Sequence, residues 1–147
     1  MRRQNITPVV NEVISVRIGT RDIYIAGLDD VTNGKPALAE VAAKCKADDF
    51  VILLCHNPGI ITEALAAVDK EGRRGWFDLG LFGHTHGGQI PLLAGKLGLP
   101  ERNASYQGGW YTPNRLNILV SNGVGTTGLP LRLGCSPQLH VITVVSR

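Results

Sequence analysis

The alternation of apolar and polar positions divides the chain into short strands and helices. Runs of apolar residues, some with a period of two, are typical of strands that bury one or both faces. The segments so predicted are 9–18, 23–26, 50–55, a part of 76–82, 117–121 and 139–145. Apolar positions at helical spacing predict two helices, at about 36–46 and 60–70. This order predicts an α/β fold with a mixed sheet, layered sheet on sheet as a sandwich with flanking helices.

The segment 91–113 lacks a regular pattern and carries three aromatic residues, Tyr106, Trp110 and Tyr111. We expect it to be irregular because glycine and proline recur along it. Two roles are open for the aromatic side chains. They can form a wall that faces a substrate, or, as is more common, they can pack beneath the loop and order it.

Composition narrows the function classes. The chain has 147 residues, 44% of them hydrophobic and 18% charged, which suits one globular domain. The net charge of +3 is small and no basic face with interleaved aromatics occurs, so nucleic-acid binding is not expected. Cys45, Cys55 and Cys135 show no metal-binding spacing and are expected to be reduced, buried thiols. Without a signal peptide or an apolar run of membrane-spanning length, we expect a cytoplasmic chain.

Three of the four histidines follow directly on apolar runs. His56 comes after 51–54, while His84 and His86 come after 79–82. On an extended backbone, residues two apart project to the same side, so His84 and His86 would reach one ligand. A lone histidine at a strand end is more often structural, but a glycine-flanked pair contributes little to a core. The pattern therefore predicts a metal site with two metal ions. His140 lies within an apolar run and is expected to be structural or solvent-facing.

Several segments resemble one enzyme family. The sequence Gly-His-Thr-His-Gly-Gly-Gln at 83–89 resembles the last signature block of the calcineurin-like metallophosphoesterases, and His-Asn-Pro at 56–58 resembles the block before it. Segments 25–30 and 121–130 resemble flanking regions of a bacterial branch of membrane-associated phosphodiesterases. The resemblance covers nearly the whole chain. It implies that residues 1–147 are the C-terminal half of the fold, a truncated single domain.

The resemblance also implies a function and a site. Relatives hydrolyse phosphomonoesters or phosphodiesters with a metal-activated water, so a phosphate-ester substrate and divalent manganese, iron, zinc or nickel are implied. By resemblance, His56 and His84 ligate one metal ion and His86 the other. The rim that faces substrate and phosphate is expected at Asn57, Gly87, Gly88, Gln89, Gly125 and Thr126. The resemblance identifies no catalytic residue beyond these ligands in this half.

The family's first three blocks, Asp-x-His, Gly-Asp and Gly-Asn-His, are absent from the chain. Without a bridging carboxylate, two dications among neutral imidazoles would repel, so one ion or none is expected here. Asp29 and Asp30 can supply a carboxylate or, as is commoner, form a solvated turn. The alternative function is a non-catalytic metal-binding or assembly module. In either case we expect a homo-oligomer or a partner carrying the missing half, because half a sandwich exposes apolar surface.

Overall fold

The computed structural model describes residues 6–90 and 105–145, which contain one six-stranded sheet. The strands are β1 (Glu12–Ile18), β2 (Arg21–Gly27), β3 (Phe50–Leu54), β4 (Leu79–Phe82), β5 (Gly109–Tyr111) and β6 (Asn117–Val120), and their order in the sheet is β1-β2-β3-β4-β6-β5. The first two form the predicted antiparallel hairpin. β2, β3, β4 and β6 run parallel, and β5 pairs antiparallel with β6 at the other edge. The predicted α/β class with a mixed sheet is confirmed.

Both helices are shorter than their apolar patterns predict. Helix α1 spans Leu38–Ala42, after which Lys44 and Cys45 donate to carbonyls three residues back instead of four. Helix α2 spans Ile61–Ala66 and follows a 3₁₀ turn at Pro58–Ile60. It stops at Ala67, whose backbone is extended, because Val68 forms a bridge with Arg74.

The helices cover one face of the sheet. Val51 and Leu53 of β3 are fully buried among residues such as Val41 and Ile61 from the two helices. Leu54, the next residue on β3, is 36% exposed and lies on the opposite face. Helices α1 and α2 therefore bury this side of β3 within the chain itself. The homo-oligomer, or the partner carrying the missing half, stays a prediction.

Two segments differ from the sequence prediction. Residues 139–145 form no strand, and Leu139 and Val141 are 85% and 89% exposed. A strand needs a neighbour for its backbone hydrogen bonds, and no described strand pairs with this segment. Conversely, β5 lies in a region predicted to be irregular, because the edge of β6 offers pairing that no local pattern reveals. Residues 91–104 of that region lie outside the described residues.

Within 6–90 and 105–145, no helix has the length and apolar character required to cross a lipid bilayer.

Candidate metal centre

His56 and His84 lie together just beyond the carboxyl ends of two parallel strands. The pairing of β3 with β4 continues past their last residues, since Gly83 N donates to His56 O at 2.9 Å. This backbone bond brings the two imidazole rings edge to face, with centroids 5.1 Å apart and planes at 83°. Both side chains are exposed. The structure thus brings together two of the three predicted ligands.

The backbone that carries His84 and His86 is a tight turn. His84, His86 and Gly87 have φ of +68°, +51° and +61°, and a 3₁₀ turn spans His86–Gly88. The prediction that the two histidines share one side of an extended strand is therefore wrong. Left-handed conformations at non-glycine residues are costly and concentrate at functional sites. Glycine at position 87 relieves part of that cost.

The ring of His86 contacts the loop that follows β6. Its Nδ1 lies 3.3 Å from the carbonyl oxygen of Gly125, and its Nε2 lies 3.3 Å from Oγ1 of Thr127. Thr126, expected at the rim, is exposed, and Thr127 is the threonine that contacts His86. Thr127 was not among the predicted rim residues, because the local sequence at 125–127 does not distinguish it from Thr126.

The charge state of His84 follows from its surroundings. Partial desolvation lowers its pKa, and the charges that His56 and His86 can carry lower it further, while Asp30 opposes them. These effects favour the neutral form of the ring, which is the form that binds metal ions.

The two aspartates beside the site form turns. Asp29 accepts from the backbone N–H groups of Asp30 and Lys35, and Asp30 accepts from those of Thr32 and Asn33. These hydrogen bonds, chiefly the one from Asn33, hold the pKa of Asp30 below its usual range. Of the two roles left open by the sequence, these contacts favour the turn.

The expected rim residues divide into two groups. Asn57 caps the turn at Pro58–Ile60 by accepting from Gly59 N at 2.8 Å. Gly87 and Gly88 belong to the turn at 84–88 that carries His84 and His86, which we call the histidine turn. Gln89 lies beneath the rim, with an exposed fraction of 0%. Its amide donates to Thr127 O and Leu129 O and accepts from Thr127 N, at 2.8–3.0 Å. Gln89 therefore fixes the loop from below.

An open cavity of about 430 Å³ adjoins the pair. His56 and Gly83 form part of its wall, together with Leu54 and Leu81 from the ends of β3 and β4. The site therefore opens toward the face of the sheet that the helices leave uncovered.

The donor set falls short of a complete metal centre. Across the described parts of the chain, no three His, Cys, Asp or Glu side chains are grouped closely enough to hold an ion. A two-metal site needs anionic ligands between its ions, whereas His56 and His84 offer neutral nitrogen atoms. The described residues therefore do not fit a whole two-metal centre. They supply a pair of nitrogen ligands, His56 and His84, and His86 lies two residues further along the same turn.

Comparison with known proteins identifies the family. No protein-family profile matches the chain, and no solved structure matches it. YkuE of Bacillus subtilis, described as an uncharacterized metallophosphoesterase, is 35% identical over 92% of this chain and 44% of its own length. The Escherichia coli phosphodiesterase YaeI is 29% identical over 99% of this chain and 50% of its own length. An uncharacterized metallophosphoesterase of Aquifex aeolicus is 34% identical over 83% of this chain and 45% of its own length.

The chain spans about half the length of these relatives. These relatives are named as metallophosphoesterases or a phosphodiesterase, which is the family that the segments at 56–58 and 83–89 resemble. The histidine pair at the ends of β3 and β4 is consistent with that family. The chain therefore belongs to the calcineurin-like metallophosphoesterase superfamily and matches the C-terminal half of its members.

Proposed function

We propose that this chain is part of a single metallophosphoesterase domain and supplies nitrogen ligands and a phosphate-facing rim to a metal-dependent phosphoesterase. The substrate is a phosphomonoester or phosphodiester. The observation that carries the proposal is the ring pair of His56 and His84 at the carboxyl ends of adjacent parallel strands. Several relatives named as metallophosphoesterases or a phosphodiesterase support it.

The residues have distinct roles in this proposal. His56 and His84 ligate one ion, and His86 presents Nε2 to a second. The carboxylate ligands come from outside the described residues, in the part of the family domain that this chain does not match. Divalent ions, when bound, supply Lewis-acid chemistry and a hydroxide near neutral pH. In this proposal the loop containing Gly125 and Thr126 offers its backbone N–H groups to the phosphoryl oxygens, whereas the amides of Gly87 and Gly88 donate to Thr85 and shape the rim.

Cobalt(II) titration tests the ligand assignment, because the visible absorption of this ion reports nitrogen coordination directly. We expect the 147-residue chain to bind Co²⁺ and His56→Ala or His84→Ala to weaken binding at least tenfold. His140→Ala is the matched control, since it removes the one histidine outside the site. Binding that survives His84→Ala, or falls equally in His140→Ala, contradicts the assignment.

A specific observation favours assembly as an additional role. Leu54 and Leu81 border an open cavity on the face that α1 and α2 do not cover, and Leu139 and Val141 are almost fully exposed. Burying such side chains is worth roughly 1.5–3 kcal/mol each. We propose that the remaining half of a metallophosphoesterase domain covers this face, since the chain spans about half of its relatives.

Sedimentation at low micromolar concentration tests this role. We expect the chain alone to self-associate. When a polypeptide with the remaining half of the domain is added, we expect a one-to-one complex to replace the homo-oligomer. A monomer that stays compact and unfolds cooperatively, with or without that polypeptide, contradicts the proposal.

A further inference from the structure

Arg132 joins the histidine turn to the loop after β6. Its guanidinium donates to the carbonyl oxygens of His86, Asn122 and Gly123 at 3.1, 2.8 and 3.2 Å. It also donates through Nε to Gly125 O at 3.0 Å. The side chain is half-buried, and within the described part of the chain no carboxylate forms an ion pair with it. One cation therefore holds four carbonyl groups from two separate segments.

The geometry indicates a scaffold role for Arg132 instead of phosphate binding. All three nitrogen atoms of the guanidinium already donate to carbonyl groups of the protein. Arginine presents its N–H groups in a rigid planar fork, so they cannot turn to a phosphate without breaking these contacts. Cys135 reinforces the arrangement, because its Sγ donates to His86 O at 2.9 Å.

The Gly125 carbonyl links Arg132 to the ring of His86. This oxygen accepts from Arg132 Nε and lies 3.3 Å from His86 Nδ1. A carbonyl oxygen can only accept, so the proton of the neutral ring resides on Nδ1. Nε2 then carries the lone pair, with the hydroxyl of Thr127 at 3.3 Å as its donor. A metal-binding histidine commonly fixes its tautomer in this way, by donating its other N–H to a carbonyl.

We propose that Arg132 is a positioning residue that acts through Gly125. Its guanidinium holds the loop at 122–125 against the histidine turn and thereby keeps His86 in the Nδ1–H tautomer, with Nε2 unprotonated. The use of Nε2 as a metal ligand rests on the proposed function, whereas the tautomer and its dependence on Arg132 do not.

Long-range ¹H–¹⁵N correlation spectra of the ¹⁵N-labelled 147-residue chain test this without metal or activity. Protonated and unprotonated ring nitrogens resonate far apart, and His86→Gln assigns the signals. At about pH 8, where histidine side chains are generally neutral, we expect Nδ1 to be protonated in the unaltered chain. Arg132→Lys should give a mixture of both tautomers, because lysine keeps the charge but lacks the planar fork.

Arg17→Gln is the matched control, since Arg17 forms an exposed ion pair with Asp22 in the β1–β2 hairpin, away from His86. Its spectrum should match that of the unaltered chain. An unaltered chain protonated on Nε2, or an Arg132→Lys variant with an unchanged His86 pattern, overturns the proposal. The first of these results needs no variant, so a variant that fails to fold leaves the test intact. Failure of cobalt binding with the expected tautomer pattern contradicts the proposed function alone.

Discussion

The rings of His56 and His84 meet edge to face, with centroids 5.1 Å apart, because a backbone hydrogen bond joins His56 to Gly83, the residue before His84. Gly83 N donates to His56 O and so extends the parallel pairing of β3 and β4 by one step beyond the strands. Side chains that follow adjacent parallel strands lie at the same edge of the sheet, which is where ligand sites of such sheets form.

The 147-residue chain by itself should show weak or no phosphodiesterase activity. The described residues bring no carboxylate to the histidine pair as a metal bridge, and no proton donor for the leaving group is identified. Hydrolysis of a bis-aryl phosphate in the presence of Mn²⁺ measures this. Robust manganese-dependent turnover that His84→Ala abolishes would contradict the prediction and show that other residues of this chain fill both roles.

Gly87→Ala should destabilise the chain by about 1–3 kcal/mol, whereas Gly125→Ala should change little. Gly87 has φ of +61°, and an added Cβ would overlap Sγ of Cys135 and Oδ1 of Asn122. A Cβ on Gly125 meets open space, and its carbonyl group remains. Urea denaturation gives the free energy of unfolding of both variants. Equal effects at the two positions would show that the turn is not closely packed.

Gln89→Leu should release the loop at 127–129. The buried amide of Gln89 makes three hydrogen bonds to this loop, and leucine of similar size makes none. We expect a loss of at least ~1 kcal/mol and faster hydrogen exchange at the Thr127 amide, which donates to Gln89 Oε1. The amide of Val51 is the internal control. If its exchange accelerates equally, the effect is global unfolding and the local prediction fails.

Asp78 should make the stability of the chain depend on pH. Burial raises its pKa above the ordinary value, and the hydrogen bond from Val51 N at 2.8 Å opposes this. Its protonated form is therefore favoured in the folded state. The stability that it contributes is present below its unfolded pKa and is lost as pH rises through the folded pKa.

Asp78→Asn keeps an oxygen acceptor for Val51 but removes the charge, so its stability relative to the unaltered chain should rise between pH 4 and pH 7. Asp78→Ala leaves the buried Val51 N–H without its acceptor and should cost about 1–3 kcal/mol. Denaturation curves at several pH values decide. A larger loss for Asp78→Asn at pH 7 than at pH 4 would show that the ionised carboxylate stabilises the fold.

Local patterns were enough to place most of the sheet. The apolar runs predicted β1–β4 and β6, because a side chain that must leave water sets the period of its own segment. The position of His56, His84 and His86 after such runs predicted a metal site, and the structure brings the rings of His56 and His84 together. The same reasoning failed for 139–145, whose apolar residues have the right spacing but no neighbouring strand among the described ones.

The sequence by itself determined the α/β class with a mixed sheet, the hairpin, most of the strands and the histidines that follow two of them. Only the tertiary structure decided the left-handed turn at His84 and His86, the buried hydrogen bonds of Gln89 and the hydrogen bonds of Arg132 to four carbonyl groups. The physical reason is range. Burial leaves a periodic pattern in neighbouring residues, whereas a polar side chain that satisfies distant backbone groups depends on partners that no local pattern contains.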